Sequence, residues 1–201
     1  MTGRAAADRH WLRLAIELAR HCPRSSTAYA VGAVLVDAAG QRLASGYSRR
    51  DRANQHAEEA VLEAVAGLTG RPELAGATLY SSLEPCTSRA SGPTPCASLI
   101  QAAGVGRVVF AWREPALFAD CTGAATLAAA GVVVVEYPEL AAAARAVNQH
   151  LPLGEGRVRD PRGYPQGSLV GVYPCLTSVI LEGVVPLWSG GGWGQVRERP
   201  P

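Results

Sequence analysis

The chain has 201 residues, of which 48% are hydrophobic and 18% charged, and its formal net charge is +2. This composition is typical of a soluble protein with a hydrophobic core, and the near-neutral charge gives no general electrostatic case for nucleic-acid binding. All basic side chains are arginine, so a lysine Schiff base and a phosphate-binding loop that needs its lysine are both excluded.

The N-terminal segment and the number of cysteines indicate the cellular location of the protein. Charges interrupt every apolar run in residues 1–22, which is not the pattern of a signal peptide. No run in the chain approaches the roughly 18 apolar residues of a membrane span. We therefore predict a cytoplasmic protein without membrane contact. Five cysteines in such a protein indicate metal binding or reactivity more often than disulfides.

The first half of the chain predicts a helix, a hairpin and a second helix. Apolar residues recur at helical spacing from about Asp8 to His21. Residues 30–37 are rich in β-branched side chains and predict a buried strand, and residues 42–48 predict its antiparallel partner. Residues 55–68 predict a helix that ends among glycines.

The following segments alternate between strands and helices. The predicted strands are residues 77–83, 107–112 and 132–137, and the predicted helices are residues 96–104, 121–131 and 138–151. The first two strands form an antiparallel pair, whereas helices link the later strands. We therefore predict an α/β fold, a three-layer α/β/α sandwich around a mixed, mostly parallel five-stranded sheet.

The alternating pattern fades after about Leu151. Residues 152–167 read as a connector rich in Pro, Gly and Arg, residues 168–188 contain two apolar runs that could be strands, and residues 189–201 read as a flexible end. We predict one domain over residues 1–151 and a C-terminal extension over residues 152–201. The extension is too short for a second catalytic domain, and it could cover the core, the site or a subunit interface.

Two short motifs together predict a metal site. The sequence "HAE" places His56 and Glu58 at the start of a predicted helix, and Cys86 and Cys96 each follow a proline on either side of a polar loop. A catalytic zinc takes three protein ligands and keeps its fourth position for water. His56, Cys86 and Cys96 are the predicted ligands, which leaves Glu58 free to handle protons. The positive ends of two helices are expected to favour thiolates there.

Each motif alone is a weak signal. A lone His-Ala-Glu is common, and two cysteines this far apart are less specific than a Cys-x-x-Cys pair. The main alternative is a structural zinc, which normally closes with a fourth Cys or His, and no obvious fourth ligand lies near in the sequence. Cys22, Cys121 and Cys175 are interpreted as small buried residues rather than ligands. The combination and order of the two motifs favour a catalytic site.

His-x-Glu followed by Pro-Cys and a further Cys is the signature of the zinc nucleobase deaminases. With "HAE" and "SLEPC", the chain resembles the cytidine deaminase superfamily, and within it the pyrimidine deaminase domain of riboflavin biosynthesis, over about residues 8–151. The chain departs from that family in three places. "STAYAVG" replaces an Asn-Pro-Asn type stretch near Ala28, the inter-cysteine loop is one residue longer with its arginine at Arg89, and Glu114–Pro115 replaces Asp-Pro.

The resemblance implies a zinc-dependent hydrolytic deaminase that removes an exocyclic amine from a pyrimidine-like nucleobase, nucleoside or nucleotide, with Glu58 carrying the protons. It also implies contacts to the amine and ring from the backbone of Ala57 and from Ser81–Ser82. The candidate substrate contacts are Asn54, Ala57, Ser82, Arg89 and Tyr29, although Asn54 could instead cap the helix. Glu84 is interpreted as structural or as part of an interface.

A phosphate on the substrate could meet an arginine. The candidates are Arg49, Arg50, Arg52 and Arg89, of which the first three are interpreted rather as a solvated surface cluster. Because folds of this kind commonly assemble as dimers or tetramers, the resemblance also predicts a homo-oligomer.

Alternative functions remain open. The first is a cytidine/deoxycytidylate-type or purine base deaminase, which shares the chemistry. A nucleic-acid-editing enzyme is disfavoured, because aromatic residues make up only 6% of the chain. A zinc-stabilised binding protein without activity is a further alternative, against which the intact Glu58 argues.

Overall fold

The computed structural model describes residues 3–70, 72–89, 92, 94–113 and 122–151. Its α-helices are α1 (Gly3–Ala19), α2 (Ala57–Ala66), α3 (Cys96–Ala102), α4 (Gly123–Ala129) and α5 (Ala141–Val147). Its strands are β1 (Gly32–Val36), β2 (Arg42–Tyr47), β3 (Thr78–Leu83), β4 (Arg107–Trp112) and β5 (Val133–Glu136). The predicted extension over residues 152–201, together with Glu114, Pro115, Cys121 and Cys175, lies outside the described residues.

The strands form one sheet in the order β2-β1-β3-β4-β5. Strand β1 pairs antiparallel with both β2 and β3, whereas β3 with β4 and β4 with β5 pair in parallel. Four of the five strands therefore run in one direction and β1 runs in the other. This confirms the predicted mixed, mostly parallel five-stranded sheet.

The reversed strand β1 decides which loops meet. Gly32, at the start of β1, pairs with Tyr47 at the end of β2, and Ala33 pairs with Ser81 near the end of β3. The loop before β1 and the loops after β2 and β3 therefore lie at one edge of the sheet. The turns at the opposite edge include four glycines with positive φ, which glycine adopts without strain: Gly40, Gly70, Gly104 and Gly131.

Helices cover both faces of the sheet, as the predicted three-layer arrangement requires. Helix α1 packs on β1 and β3 with α5 beside it, and α2 packs on β1 and β2 with α3 and α4 continuing that layer. Helix α1 approaches β1 so closely that a Cβ atom at Gly32 would lie 2.1 Å from the carbonyl oxygen of Ala15. A side chain at this position would push the helix off the sheet.

A buried carboxylate also joins α1 to the sheet. Asp8 is 2% exposed and accepts hydrogen bonds from Tyr80 Oη (2.9 Å), Tyr137 Oη (2.9 Å) and two nitrogens of Arg107 (2.8 and 2.7 Å). Burial raises the pKa of Asp8, but the hydrogen bonds from Arg107 and the two tyrosines outweigh burial, so the pKa is lowered from its usual value. The carboxylate therefore stabilises the fold in its charged form.

Two helices differ from their predicted bounds by more than two residues at one end. Helix α1 begins at Gly3 rather than near Asp8, because Ala5–Ala7 have high helix propensity although they carry no apolar periodicity. The last predicted helix is divided into a 3-10 helix (Pro138–Leu140) and α5. Within the described residues, no helix is long and apolar enough to cross a membrane.

Candidate active site

A cavity of about 540 Å³ opens at the sheet edge where the three loops meet. Residues 25–31 before β1, 48–56 after β2 and 83–89 after β3 contribute to its walls, and Glu58 on the first turn of α2 lines it as well. This volume lies in the range of small-molecule sites. The cavity is therefore a candidate substrate pocket.

Three side chains that could ligate a metal ion lie together beside this pocket. His56 immediately precedes α2, Cys86 follows β3 and Cys96 begins α3. The Nδ1 atom of His56 lies 3.7 Å from Cys86 Sγ and 3.3 Å from Cys96 Sγ, and the three ligand atoms lie within 4.8 Å of one another. A tetrahedral zinc with ordinary Zn–N and Zn–S bonds separates such atoms by about 3.6 Å. The donor set therefore fits zinc, and these residues could hold a metal ion.

The backbone brings the two cysteines together. The N–H of Cys96 donates to Cys86 Sγ at 3.4 Å, and the N–H of Ala97 donates to the carbonyl oxygen of Cys86 at 3.0 Å. Both cysteines are buried, and Cys96 has no exposed surface. These two hydrogen bonds hold the start of α3 against Cys86, in the segment after β3.

The two thiols do not lose their protons equally. The hydrogen bond with Cys96 lowers the pKa of Cys86 to about 4 against the effect of burial, and a hydrogen bond with His56 contributes. The pKa of Cys96 is raised, because of its hydrogen bond with Cys86, its burial and the nearby charge of Glu58. Zinc binds thiolates, so metal uptake at this pair is coupled to proton release.

The histidine also responds to its neighbours. Burial lowers the pKa of His56, but its hydrogen bond with Cys86 and the negative charge of Glu58 outweigh burial and raise the pKa. A metal ion and a proton compete for the same imidazole, so binding of zinc is expected to weaken in acid.

Glu58 lies next to the candidate ligand atoms, and its side chain accepts a hydrogen bond from a serine. Its side chain is buried, and its Oε1 accepts a hydrogen bond of 2.7 Å from Ser81 Oγ, while Oε2 lies 3.4 Å from Cys96 Sγ. The neighbouring Ser82 makes a different contact, because its Oγ accepts the N–H of Gly32 at 3.1 Å. Successive strand residues point to opposite faces, so only one of the two serines can serve Glu58.

The predicted substrate contacts fall into two groups. Asn54, Tyr29 and Arg89 are among the residues that line the cavity, together with Ala28. Ala57 and Ser82 are buried and are not among its lining residues.

Ion pairs distinguish the four candidate arginines. Arg50 pairs with Asp51, Arg52 with Glu63 and Glu59, and Arg89 with Glu59. Arg49 instead donates to the carbonyl oxygens of Pro23 (3.1 and 2.7 Å) and Tyr29 (2.9 Å), and it has no carboxylate partner in the described part of the chain. Arg49 also lines the cavity, and its φ of 63° is a left-handed conformation unusual for a side-chain-bearing residue.

Glu84 connects the segment after β3 to the start of α4. Its side chain is 1% exposed, and Oε1 accepts the backbone N–H of Ala124 at 2.7 Å, at the start of α4. A Cβ atom at Gly123 would lie 1.8 Å from the carbonyl oxygen of Pro85, so α4 begins in direct contact with the segment that carries Cys86. This agrees with the structural interpretation of Glu84.

Sequence reasoning left the roles of three residues around the site unresolved. It did not separate Ser81 from Ser82, although strand alternation with the buried Leu83 could have suggested that they differ. It gave Glu59 no role, because an acidic residue in the first helical turn is common. It also treated Arg49 as one of a surface cluster, and only the tertiary contacts separate it from its neighbours.

Comparisons with known proteins point to one family. The family described as "Cytidine and deoxycytidylate deaminase zinc-binding region" matches residues 5–112. A Schizosaccharomyces pombe protein, "Diaminohydroxyphosphoribosylamino-pyrimidine deaminase", is 38% identical over 122 residues, which are 61% of this chain and 30% of that protein. The riboflavin biosynthesis protein RibD of Aquifex aeolicus is 35% identical over 130 residues, which are 63% and 34% of the two chains. The chain thus spans about a third of the length of these relatives.

Solved structures are similar over the same region. RibD of Acinetobacter baumannii, form 1, matches with a TM-score of 0.60 at 33% identity and covers 72% of this chain and 38% of that chain. The Aspergillus oryzae Rib2 deaminase in complex with DARIPP matches with a TM-score of 0.54 at 25% identity, covering 64% and 82% of the two chains. These similarities confirm the predicted fold class.

Proposed function

Because the chain belongs to the cytidine and deoxycytidylate deaminase zinc-binding family, we propose that it is a zinc-dependent hydrolytic deaminase of a pyrimidine-type substrate. One observation carries this proposal. Ligand atoms of His56, Cys86 and Cys96 lie within 4.8 Å of one another, and the Glu58 carboxylate lies beside them at the cavity. A structural metal has no use for such a carboxylate.

The proposed reaction replaces an exocyclic amine by an oxygen from water. Zinc bound by His56, Cys86 and Cys96 would supply a water whose pKa is lowered to about 7. Glu58 would accept a proton from that water, deliver it to the ring nitrogen and then assist protonation of the departing amine. The Ser81 hydroxyl holds Oε1 of Glu58, which leaves Oε2 on the side of the metal ligands. Water and substrate together become the oxo product and ammonia.

The names of the relatives suggest the substrate class. The S. pombe protein is called a diaminohydroxyphosphoribosylamino-pyrimidine deaminase, and the A. oryzae structure contains DARIPP. By analogy, we propose an aminopyrimidine that carries an anionic group, in a riboflavin-like or specialised biosynthetic pathway. Arg49 is our candidate for that group, because it lines the cavity and has no carboxylate partner among the described residues.

The remaining contacts are also proposals. Asn54 and Tyr29 line the cavity and could contact the ring or the ribose. The backbone of Ala57 is proposed to hold the amine. A different amino-heterocycle is the second candidate substrate, because Ala28 offers no side-chain hydrogen bond where it lines the cavity.

Purified protein tests this function directly. Ammonia release is measured for wild type and Glu58→Ala at equal zinc content, with cytidine, deoxycytidylate, guanine and aminopyrimidine ribosides with and without phosphate. We expect release from a phosphorylated aminopyrimidine by wild type and a loss of at least about a hundredfold in Glu58→Ala. Equal release by both proteins would remove Glu58 from the mechanism. Failure to bind zinc would overturn the proposal as a whole.

Assembly, location and the domain boundary are further parts of this proposal. We propose a homo-oligomer, a dimer or tetramer, which light scattering on the purified protein tests. A cytoplasmic location suits the two ligand thiols, because reducing conditions keep them available for metal. A domain boundary near residue 151 is supported by Leu151, which is buried, and by Asn148, which hydrogen-bonds both the N–H (2.7 Å) and the carbonyl oxygen (3.0 Å) of Ala30.

A further inference from the structure

The loop between the two cysteines is attached to α2 through one arginine. The Arg89 side chain is only 6% exposed, and its Nη1 and Nη2 both donate to Oε2 of Glu59 at 3.1 Å. Nη2 also lies 3.3 Å from the carbonyl oxygen of Asn54. A partly buried ion pair with two charge-assisted hydrogen bonds fixes both partners in one geometry.

Glu59 connects this arginine to the histidine. It is the third residue after His56, and its Oε2 accepts the backbone N–H of His56 at 3.2 Å, as in a capping box. The same carboxylate oxygen therefore contacts Arg89 in one segment and the backbone of a predicted metal ligand in the other. The two cysteines belong to the first segment, and His56 and Glu58 to the second.

Gly92 of the same loop lies against the guanidinium. Nε of Arg89 is buried and has no hydrogen-bond partner among the described residues. A Cβ atom at Gly92 would lie 2.5 Å from Nη2 and 2.9 Å from Nε, so the glycine backbone rests against this group. Two of the three nitrogens donate to Glu59 of α2 and to the loop before it, and the third lies near Gly92. These contacts favour a structural role for the Arg89 guanidinium over a role in ligand binding.

From these contacts we propose that the Arg89–Glu59 ion pair positions the metal ligands. It holds the inter-cysteine loop and the start of α2 at the separation that zinc requires, and it slows metal loss by resisting their separation. Arg89 is thus a positioning residue rather than a substrate contact. This inference rests on the proposed zinc site.

Three variants test the ion pair. Glu59→Gln keeps an acceptor for the N–H of His56 but removes the charge, and Arg89→Met keeps the apolar stem but removes the guanidinium. Arg52→Met is the matched control, because Arg52 also pairs with Glu59 (3.2 Å) but is 52% exposed and lies outside the inter-cysteine loop. Zinc transfer to excess chromogenic chelator is timed for each protein, and the visible spectrum of the cobalt-substituted form reports ligand geometry.

We expect Arg89→Met and Glu59→Gln to release zinc about ten- to a hundredfold faster than wild type, as for other changes around a metal's ligands. The double variant should release zinc no faster than the faster of the two single variants, because both substitutions remove the same Arg89–Glu59 ion pair. Arg52→Met should stay within about twofold of wild type. The cobalt spectrum should change in the first two variants and not in the control.

Other results would overturn the proposal. If Arg89→Met releases zinc at the wild-type rate but has a raised KM, Arg89 is a substrate contact. If Arg52→Met accelerates zinc release as much as Arg89→Met, any loss of positive charge near Glu59 is sufficient. If circular dichroism shows that Arg89→Met is unfolded, the test rests on Glu59→Gln alone. Zinc release from Glu59→Gln at the wild-type rate would then refute the proposed role of the ion pair. Wild type that binds no zinc would refute the proposed function, and this inference with it.

Discussion

The two adjacent serines of β3 offer a sharp test of the site. Ser81→Ala removes the hydroxyl that donates to Glu58 at 2.7 Å, whereas Ser82→Ala removes an acceptor for the N–H of Gly32 at 3.1 Å. Both serines are buried, and both changes delete one oxygen from the same strand. The two variants therefore differ mainly in which face of the sheet loses a hydrogen bond.

The contacts set the expected magnitudes. A hydrogen bond to a charged group contributes about 1.5–3 kcal/mol, which corresponds to roughly ten- to a hundredfold in rate if all of it acts in the transition state. Part of the interaction is already present before reaction, so we expect Ser81→Ala to lower kcat about tenfold. Ser82→Ala leaves a buried N–H without its acceptor and should cost about 1–3 kcal/mol of unfolding free energy.

Steady-state kinetics and urea unfolding on the zinc-loaded proteins measure both effects. Ser81→Ala should lower kcat about tenfold, whereas Ser82→Ala should leave kcat within about twofold of wild type. Both variants should lose about 1–3 kcal/mol of unfolding free energy, because each leaves a buried group without its hydrogen-bond partner. The reverse pattern, with Ser82→Ala slow and Ser81→Ala normal, would refute the reasoning. It would support the contact to substrate that the sequence predicted for Ser82.

Further predictions concern the fold and the metal. Asp8→Asn should lower the unfolding free energy in urea by about 3–5 kcal/mol, because it leaves the largely buried Arg107 without its counter-charge. The lowered pKa of Asp8 means that its contribution is complete above the unfolded value near 3.8 and is lost as pH falls through the folded value, so wild type and Asp8→Asn should converge in acid urea titrations. Chelator should lower the wild-type melting temperature and zinc should restore it, whereas unchanged melting would argue against a bound metal. Gly32→Ala should destabilise the protein strongly in the same unfolding assay, because its Cβ would overlap the backbone of α1; a wild-type midpoint would show that α1 can move.

Local sequence patterns predicted most of the architecture. Strand β4 has the same bounds as its predicted apolar run, residues 107–112, because a short β-branched run between turns has few other solutions. The proposed ligands were found in the same way, since His56, Cys86 and Cys96 each lie at an element boundary that the sequence marks. Glycine and proline positions give such boundaries directly.

Contacts between distant residues could not be predicted in this way. Arg89 and Glu59 are separated by 30 positions, and Asp8 and Tyr137 by 129. Nothing local to either pair specifies the partner. The choice between Ser81 and Ser82 depends on strand register, and a shift of one residue would exchange their faces.

The two edges of the sheet differ in a way that matters for handling the enzyme. The edge with the pocket carries the side chains that line the cavity. The opposite edge consists of short turns, such as the one at Gly40, where residues 38–40 are exposed. A fluorophore, affinity tag or surface tether attached to that turn would sit a full strand length from the cavity. Immobilised enzyme could then be screened against unknown amino-heterocycles with its pocket facing the solution.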